Sequence, residues 1–332
     1  MISRVADHCF WLGRYLERTE CTARVLFTTR NLALDGELTA AQCWHPAIIV
    51  SGEEQAFTDK HGEDAAADGE LVQHTLTWDE DSGASIRRSV AAARENARSI
   101  REVVSLETWE AVNELHVWLG SDAARDEYAS HRYGFYRHVR QMVQLCVGLA
   151  ESSMLHDTPL EFISLGLQLE RVGWTARILD VHHHALRSME RLHQVIETAL
   201  WLSLLRACSG FEPFMKRNQG RVTGTAVATF LMLEPMFPRS VRFGVHSAWE
   251  RLCAIRPASE PALPGQATLA RLGALDCWLA GLAASPIDQD AVHDLLTHVV
   301  DEIAAVCNGV SREILGLGGD GEGDGDREGV PQ

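Results

Sequence analysis

Two stretches of this sequence place glutamate and arginine side chains where they could do chemistry together. In the first stretch Glu17, Cys21 and Arg24 follow one another at steps of four and three residues, so a helix would carry them on one face. A second stretch repeats the spacing with Glu170 and Arg177. Arginine forks bind carboxylates and phosphates, and carboxylates can transfer protons. The pattern therefore predicts either a polar binding site or a set of ion pairs.

The two stretches are copies of each other. Leu12–Leu26 (LGRYLERTECTARVL) and Leu165–Leu179 (LGLQLERVGWTARIL) are identical at nine of fifteen positions with a constant offset of 153 residues. Chance would give about one identity at average composition. A weaker match joins Arg98–Val112 to Arg239–Leu252, since both contain Arg-Ser-aliphatic-Arg and a later Trp-Glu pair. The repeat predicts an internal duplication of one helical unit.

Charge pairing between the two copies gives a first prediction of how they pack. Glu17 and Arg24 are separated by about 10.5 Å along one helix axis, which is too far for a good pair within that helix. If the copies cross antiparallel, Glu17 meets Arg177 and Arg24 meets Glu170. Such buried pairs could simply fix the register of the helices. Alternatively, the same side chains could line a pocket that takes a carboxylate or a phosphate.

Further candidate binding residues lie in or next to the two repeated stretches. Arg14 lies one turn before Glu17, and a run of three histidines ends at His184. Asp180 and His184 have a spacing that could hold a metal, but consecutive histidines point to different faces of a helix, so we expect no metal site. We also expect no cofactor. The candidate binding residues are Arg14, Glu17, Arg18, Arg24, Glu170, Arg171, Arg177 and His184.

The segments that must position these residues have apolar residues at helical spacing, and the alternating patterns typical of β-strands are scarce. We therefore predict an all-α helical bundle of two related halves, about 1–155 and 156–315, in one domain. An acidic Gly-rich tail, 316–332, is expected to be disordered. Helices are predicted over Ser3–Leu34, Ser85–Leu119, Asp126–Leu155, Thr158–Ser209, Gly220–Met236, Gln266–Ala284 and Asp288–Leu315. The polar stretch Ser51–Glu70 is predicted to be a mobile loop or an insertion, and Arg256–Gly265 a linker or loop.

Composition narrows the range of partners. Hydrophobic residues make up 46% of the 332 residues, enough for a sizeable core, and the formal net charge is −16. That charge argues against binding to nucleic acid or to an anionic membrane, because both need a positive surface. The eight cysteines have irregular spacing, which is typical of reduced thiols. With no signal peptide and no apolar run of membrane-spanning length, we expect a cytoplasmic protein.

The opening MISRVADHCFWLGRYLERTECTAR, at Met1–Arg24, closely resembles the start of the bacterial alpha-E family, which is named for its helices and a Glu-Arg motif. That motif corresponds here to Glu17-Arg18 and Glu170-Arg171. Further similar segments are ARENARSIRE, LERVGWTARILDV and FLMLEPMFPRSV, so the resemblance spans about residues 1–315.

The resemblance implies partners that composition could not show. Members of the family tend to be encoded beside a circularly permuted ATP-grasp ligase-like protein and a transglutaminase-like cysteine protease. The implied role is a non-catalytic or helper component of a peptide synthesis or modification system, with a peptide or amino-acid ligand possible. The alternatives are an enzyme that acts on a small amino-acid or peptide substrate at a Glu/Arg-lined pocket, and a purely structural scaffold.

Overall fold

The computed structural model describes residues 3–34, 38–188, 194–218, 222–283 and 287–316. Throughout these ranges the chain is all-α, as predicted, and has no strand. The described α-helices are α1 (Ser3–Leu34), α2 (Ala40–Ser51), α3 (Glu54–His61), α4 (Gly69–Trp78), α5 (Ile86–Ser99), α6 (Leu106–Leu119), α7 (Asp122–Ser130), α8 (Arg132–Ser153), α9 (Thr158–Ser188), α10 (Gln194–Ala207), α11 (Phe211–Arg217), α12 (Gly224–Leu233), α13 (Val241–Ile255), α14 (Gln266–Leu282) and α15 (Val292–Gly309). Of the predicted tail, all but Gly316 lies outside the described residues.

Helices α1 and α9, with 32 and 31 residues, form the central pair of the bundle. Each lies against the other and is covered by helices of its own half: α5 and α8 pack on α1, whereas α13 and α15 pack on α9. Because both central helices are covered on several sides, their buried faces are wide, and even polar residues such as Thr19 and Thr22 are buried. The two helices that carry the Glu-Arg motifs therefore lie at the centre of the fold.

Two glycines allow the backbones of α1 and α9 to approach closely. A Cβ placed on Gly13 would lie 1.9 Å from the carbonyl oxygen of Ile163, and a Cβ on Gly166 would lie 2.1 Å from that of Phe10. The repeat relates the two contacts, because adding its offset of 153 to Gly13 gives Gly166 and subtracting it from Ile163 gives Phe10. The contacts between the two Glu-Arg motifs lie at least one turn further toward the C-terminus of both helices. The contact positions therefore advance in the same direction along α1 and α9, so the helices run parallel. The predicted antiparallel crossing is therefore wrong.

Corresponding neighbours surround the two central helices. Helices α4 and α5 pack in sequence against α1, and α12 and α13 pack in the same way against α9. Ser85 and Ser240 cap the N-termini of α5 and α13 with their side chains. This arrangement supports the internal duplication, which we retain as a proposal. The weaker sequence match joins different positions, because Arg98 lies in the last turn of α5 whereas Arg239 precedes α13.

Several predicted boundaries need correction. The stretch Ser51–Glu70, predicted to be a loop, contains α3 and a short 3₁₀ helix, Glu63–Ala67, anchored by buried Phe57 and Ala66. Helices this short bury too few apolar residues to show a periodic pattern. The predicted helix Ser85–Leu119 is two helices, because Ser105 caps a new N-terminus at α6. Asp126–Leu155 likewise corresponds to the second half of α7 and the whole of α8. The linker Arg256–Gly265 does connect two helices, as predicted.

No helix in the described ranges combines the length and the apolar character that crossing a membrane would require.

Candidate functional site

The Glu-Arg motifs face each other across the contact between α1 and α9. Glu17 and Glu170 follow the contact glycines Gly13 and Gly166 by four residues, about one helical turn, so they project into the same interface. Their exposed fractions are only 1% and 4%. Burying a carboxylate at this depth is costly unless cations and hydrogen bonds compensate for the lost water.

Each glutamate pairs with the arginine of the opposite motif. Arg171 donates from Nε and Nη2 to the two carboxylate oxygens of Glu17, at 2.9 and 2.6 Å. Arg18 donates from Nε and Nη2 to the two carboxylate oxygens of Glu170, at 2.7 and 3.3 Å. The repeat relates the two pairs, because adding 153 to Glu17 gives Glu170 and subtracting 153 from Arg171 gives Arg18. The arrangement is a reciprocal exchange of bidentate ion pairs, which are among the strongest contacts of this kind.

The second-half glutamate, Glu170, accepts further hydrogen bonds from α1 and α9. Arg14 Nε donates to Glu170 Oε2 at 2.7 Å, and the indole of Trp174 donates to Oε1 at 3.2 Å. The copies differ here, because Leu167 stands where the repeat would place the counterpart of Arg14. Arg18 also donates to the carbonyl oxygen of Gly83 at 3.3 Å. Glu170 is therefore held by two arginines and an indole.

The first-half glutamate, Glu17, belongs to a wider network that the sequence analysis missed. Arg239, just before α13, donates to Glu17 Oε1 at 2.9 Å and to Glu20 Oε2 at 2.5 Å. Cys21 Sγ donates to Glu17 Oε1 at 3.4 Å, and Gln144 donates to Glu20 at 2.9 Å. Arg239 lies in a segment already matched to the family, but nothing in its spacing relates it to α1.

Arg24 and Arg177 do not make the predicted pairs. Arg24 pairs with Glu20 on its own helix and donates to the hydroxyl of Ser209. Arg177 donates from Nε to the carbonyl oxygen of Val50 at 3.1 Å, and its guanidinium lies 5.5 Å from the ring centre of Trp174. The predicted pairs of Glu17 with Arg177 and of Arg24 with Glu170 are therefore wrong. In the parallel packing, the helical turns that contain Arg24 and Arg177 face other parts of the chain.

The network holds more arginines than carboxylates. Six arginines surround three glutamates, and Arg177 has only a backbone oxygen as its acceptor within the described residues. Burial by itself would raise the pKa of Glu170, but the charges of Arg18 and Arg14 outweigh it and lower the pKa well below its usual range. The same balance lowers the pKa of Glu17 and of Glu20. All three glutamates are therefore ionised at neutral pH.

The buried thiols near the network are protonated. Burial, together with the charge of Glu17, raises the pKa of the Cys21 thiol well above its ordinary value. Burial raises the pKa of Cys208 to about 11 and that of Cys9 to about 12. A thiol acts as a nucleophile only as the thiolate, so these groups are poorly suited to covalent catalysis.

A cavity of about 110 Å³ opens beside Arg171, between α1, α8 and α9. One wall is apolar and includes Leu12, Leu16 and Leu167. The polar side chains that line it are Thr108, Glu151, Ser164, Gln168, Arg171 and Arg251. The Oε1 atom of Gln168 is buried without a hydrogen-bond partner. Glu17 and Glu170 are not among the described residues that line this cavity.

The histidine run has no metal-binding arrangement in the described part of the chain. The side chain of His184, the last candidate binding residue, lies outside the described residues. Asp180 accepts a hydrogen bond from His293 Nδ1 at 2.7 Å. His182 contacts the backbone oxygen of Ile178 at 2.8 Å. No three His, Cys, Asp or Glu residues among those described are grouped closely enough to hold a metal ion.

Comparison with known proteins gives a family match over nearly the whole chain. The model of the Alpha-E family, described as a predicted alpha-helical domain with a conserved ER motif, matches residues 1–315. The chain is 24% identical over 253 residues to an uncharacterized protein of Mycobacterium bovis and to uncharacterized proteins of two Mycobacterium tuberculosis strains. These matches cover 72% of this chain but only 28% of each mycobacterial protein. No solved structure matches the chain significantly.

Proposed function

The chain belongs to the Alpha-E family, and we propose that it is a non-catalytic or helper component of a peptide synthesis or modification system in the cytoplasm. Its partners would be the ATP-grasp ligase-like protein and the transglutaminase-like protease that the family resemblance implies. In this role the chain presents a peptide-like ligand rather than transforming it. The ion-paired motifs build the site, and the cavity beside Arg171 receives the ligand.

The observation that carries this proposal is the chemistry of the cavity wall. Arg171 and Arg251 line the cavity beside an apolar surface, and the unpartnered Gln168 Oε1 supplies an acceptor. The two arginines are paired with Glu17 and Glu161, and their N–H groups outside these pairs can donate to a ligand. A terminal carboxylate, an aliphatic side chain and an amide N–H would satisfy these three features together. At about 10–15 Å³ per water, the cavity has room for on the order of eight waters, which is the size of one amino-acid residue.

The alternative, an enzyme that acts on a small amino-acid or peptide substrate, is less well supported. A general base works best with a pKa near the operating pH, whereas the pKa values of Glu17, Glu20 and Glu170 are lowered by arginines. Glu17 or Glu170 facing the cavity would favour an enzyme, but neither is among the described residues that line it, and Glu17 is paired with Arg171. A purely structural scaffold would show no concave polar pocket, whereas polar side chains line this cavity.

The binding test uses two ligands that differ only in charge. N-acetyl-leucine has the terminal carboxylate, and N-acetyl-leucinamide has a neutral amide in its place. We expect calorimetry to show at least tenfold weaker binding of the amide, because a charge-assisted hydrogen bond contributes about 1.5–3 kcal/mol. Arg251→Ala should remove this difference, whereas Arg271→Ala, which removes an exposed arginine paired with Glu302, should preserve it. Equal binding of both ligands by the unaltered protein would refute the cavity assignment.

The partner assignment needs a separate experiment. We expect the immobilised chain to retain the ATP-grasp ligase-like protein encoded beside it at micromolar concentration. The variant Arg251→Ala should fold and retain the partner, because the cavity is proposed to hold the ligand rather than the partner. Failure of the unaltered chain to retain either neighbour-encoded protein would refute the partnership without affecting the result on N-acetyl-leucine.

A further inference from the structure

A second cationic cluster lies on the other side of α1, where α8 packs against it. Arg140 and Gln144 are one turn apart on the same face of α8. Gln144 donates to Glu20 on α1 at 2.9 Å, and the Arg140 guanidinium lies 5.6 Å from the ring centre of Phe27, further along α1. Arg140 is therefore placed beside Arg24. Gln144 is exposed, so this edge of the cluster lies next to the protein surface.

Two guanidinium groups in this cluster have unused N–H donors. Arg24 is only 2% exposed, yet its Nε has no hydrogen-bond partner, although its other nitrogens contact Glu20 and Ser209. The Nε of Arg140 is also buried and unpartnered. Among the described residues, Arg140 contacts the ring of Phe27 but makes no hydrogen bond or ion pair. A buried N–H without an acceptor is costly, about 1–3 kcal/mol in other proteins.

The charges of the cluster do not balance. Glu20 already compensates Arg24 and Arg239, so no carboxylate remains for Arg140. Burial and the neighbouring charge of Arg24 lower the pKa of Arg140 to about 10, which still leaves it charged at neutral pH. The ion pair of Arg171 and Glu17 is neutral. Of the other groups here, three arginines (Arg24, Arg140 and Arg239) surround one glutamate (Glu20), so two positive charges remain uncompensated.

The hydroxyl of Ser209 lies in the same cluster, next to Arg24. Ser209 follows α10 and has a φ of 53°, in the left-handed region that favours glycine. It is the only residue other than glycine with positive φ in the described ranges. Its Oγ accepts a hydrogen bond from Arg24, which leaves the hydroxyl proton available to another acceptor. The unusual backbone thus holds a donor beside the unused N–H groups.

We propose that Arg24, Arg140 and Ser209 form a binding site for a phosphate group. A phosphate carries about −1.5 to −2 charges at pH 7, which matches the two surplus positive charges, and its oxygens would accept the unused N–H and O–H donors. A carboxylate would neutralise only half of that excess. This site shares no residue with the cavity lined by Arg171 and Arg251, so it stands independently of the proposed function.

The test measures binding of inorganic phosphate and of O-phosphoserine to the full chain at constant ionic strength, with chloride as the reference anion. We expect saturable binding by calorimetry and a rise in the melting temperature. Tighter binding of O-phosphoserine would assign the site to phosphate esters, and tighter binding of inorganic phosphate would assign it to the free ion. Arg140→Gln should weaken binding roughly tenfold or more, because it removes charge-assisted hydrogen bonds.

Arg140→Gln is the informative variant because Arg140 makes no hydrogen bond or ion pair among the described residues and contacts only the ring of Phe27. Without phosphate it should melt at the same or a higher temperature than the unaltered protein, since it relieves repulsion with Arg24. Ser209→Ala should weaken binding by a smaller factor, and Arg271→Gln, which removes an exposed charge, should leave it unchanged. The proposal is overturned if phosphate has no more effect than chloride, or if Arg140→Gln binds phosphate as tightly as the unaltered protein does.

Discussion

At the residue scale, the three buried glutamates of α1 and α9 are ionised only because arginines surround them. Burial disfavours the ionised form of Glu170, and Arg14 and Arg18 reverse that preference. A buried ion pair of this kind adds little net stability compared with a well-packed apolar pair, but breaking it leaves an uncompensated charge in the interior. The motif is therefore costly to alter, whatever ligand the protein binds.

Glu170→Gln tests this cost. The neutral amide leaves Arg14 and Arg18 buried without their carboxylate, so we expect the free energy of unfolding in urea to fall by about 3–5 kcal/mol. Glu95→Gln is the matched control, because Glu95 forms an exposed pair with Arg98 and should change stability by only about 0.5 kcal/mol. Similar losses for both variants would show that the interior pairs are no more important than surface ones.

At the scale of elements, close backbone contact sets the geometry of α1 and α9. The glycines at positions 13 and 166 bring the two backbones together, and the parallel direction places each Glu-Arg motif opposite its copy. Helices held further apart would not allow Arg171 to reach Glu17 with both nitrogens. The glycines of the repeat are therefore as important to the network as its charged residues.

Gly13→Ala should disrupt this contact. Its Cβ would lie 1.9 Å from the Ile163 carbonyl oxygen, so the helices must separate, and we expect a loss of about 1–3 kcal/mol in chemical denaturation. Gly148→Ala, inside α8, provides the control, because the added methyl group would meet no other atom within 4 Å apart from its chain neighbours and its own helix backbone. It should raise stability by about 0.5–1 kcal/mol through helix propensity. If Gly13→Ala is also stabilising, the close approach of α1 and α9 is not real.

At the scale of the whole molecule, the charge is distributed unevenly. The chain carries a formal net charge of −16, yet the centre of the bundle holds more arginines than glutamates. An anionic ligand therefore meets repulsion at long range and attraction at the site, and the long-range part is screened by salt. Binding of both proposed ligands should accordingly become faster as ionic strength rises to physiological values.

Acid should destabilise the fold through the central glutamates. Their pKa values are lowered in the folded state, whereas in the unfolded chain they return to about 4.5. The unfolded chain therefore takes up protons first, and the stability that the ionised glutamates contribute is complete above about pH 5–6 and is lost as the pH falls below 4.5. Urea unfolding across pH 3–8 measures this dependence. It should be weaker in Glu170→Gln, and an equal dependence in both proteins would exclude Glu170 as a source.

The amino-acid sequence by itself determined the secondary structure class and the residues at the centre. Helical periodicity is a local property, so α1 could be predicted from Ser3 to Leu34 without knowledge of its neighbours. The repeat likewise identified Glu17, Arg18, Glu170 and Arg171, because identical segments must fill equivalent positions if the halves are related. Even the paired glycines were visible in the alignment of the two copies, although their role in close packing was not recognised.

Only the tertiary structure decided which charges meet. A stripe of residues fixes the face of a helix but not the direction of the helix that packs on it, so the antiparallel pairing of Glu17 with Arg177 fitted the spacing as well as the parallel one. Arg140, Ser209 and Arg239 lie far from the motif in sequence, and their spacing carries no signal that they meet Glu20 and Arg24. Such contacts depend on the packing of α8, α10 and α13 around α1, which is a long-range property of the folded chain.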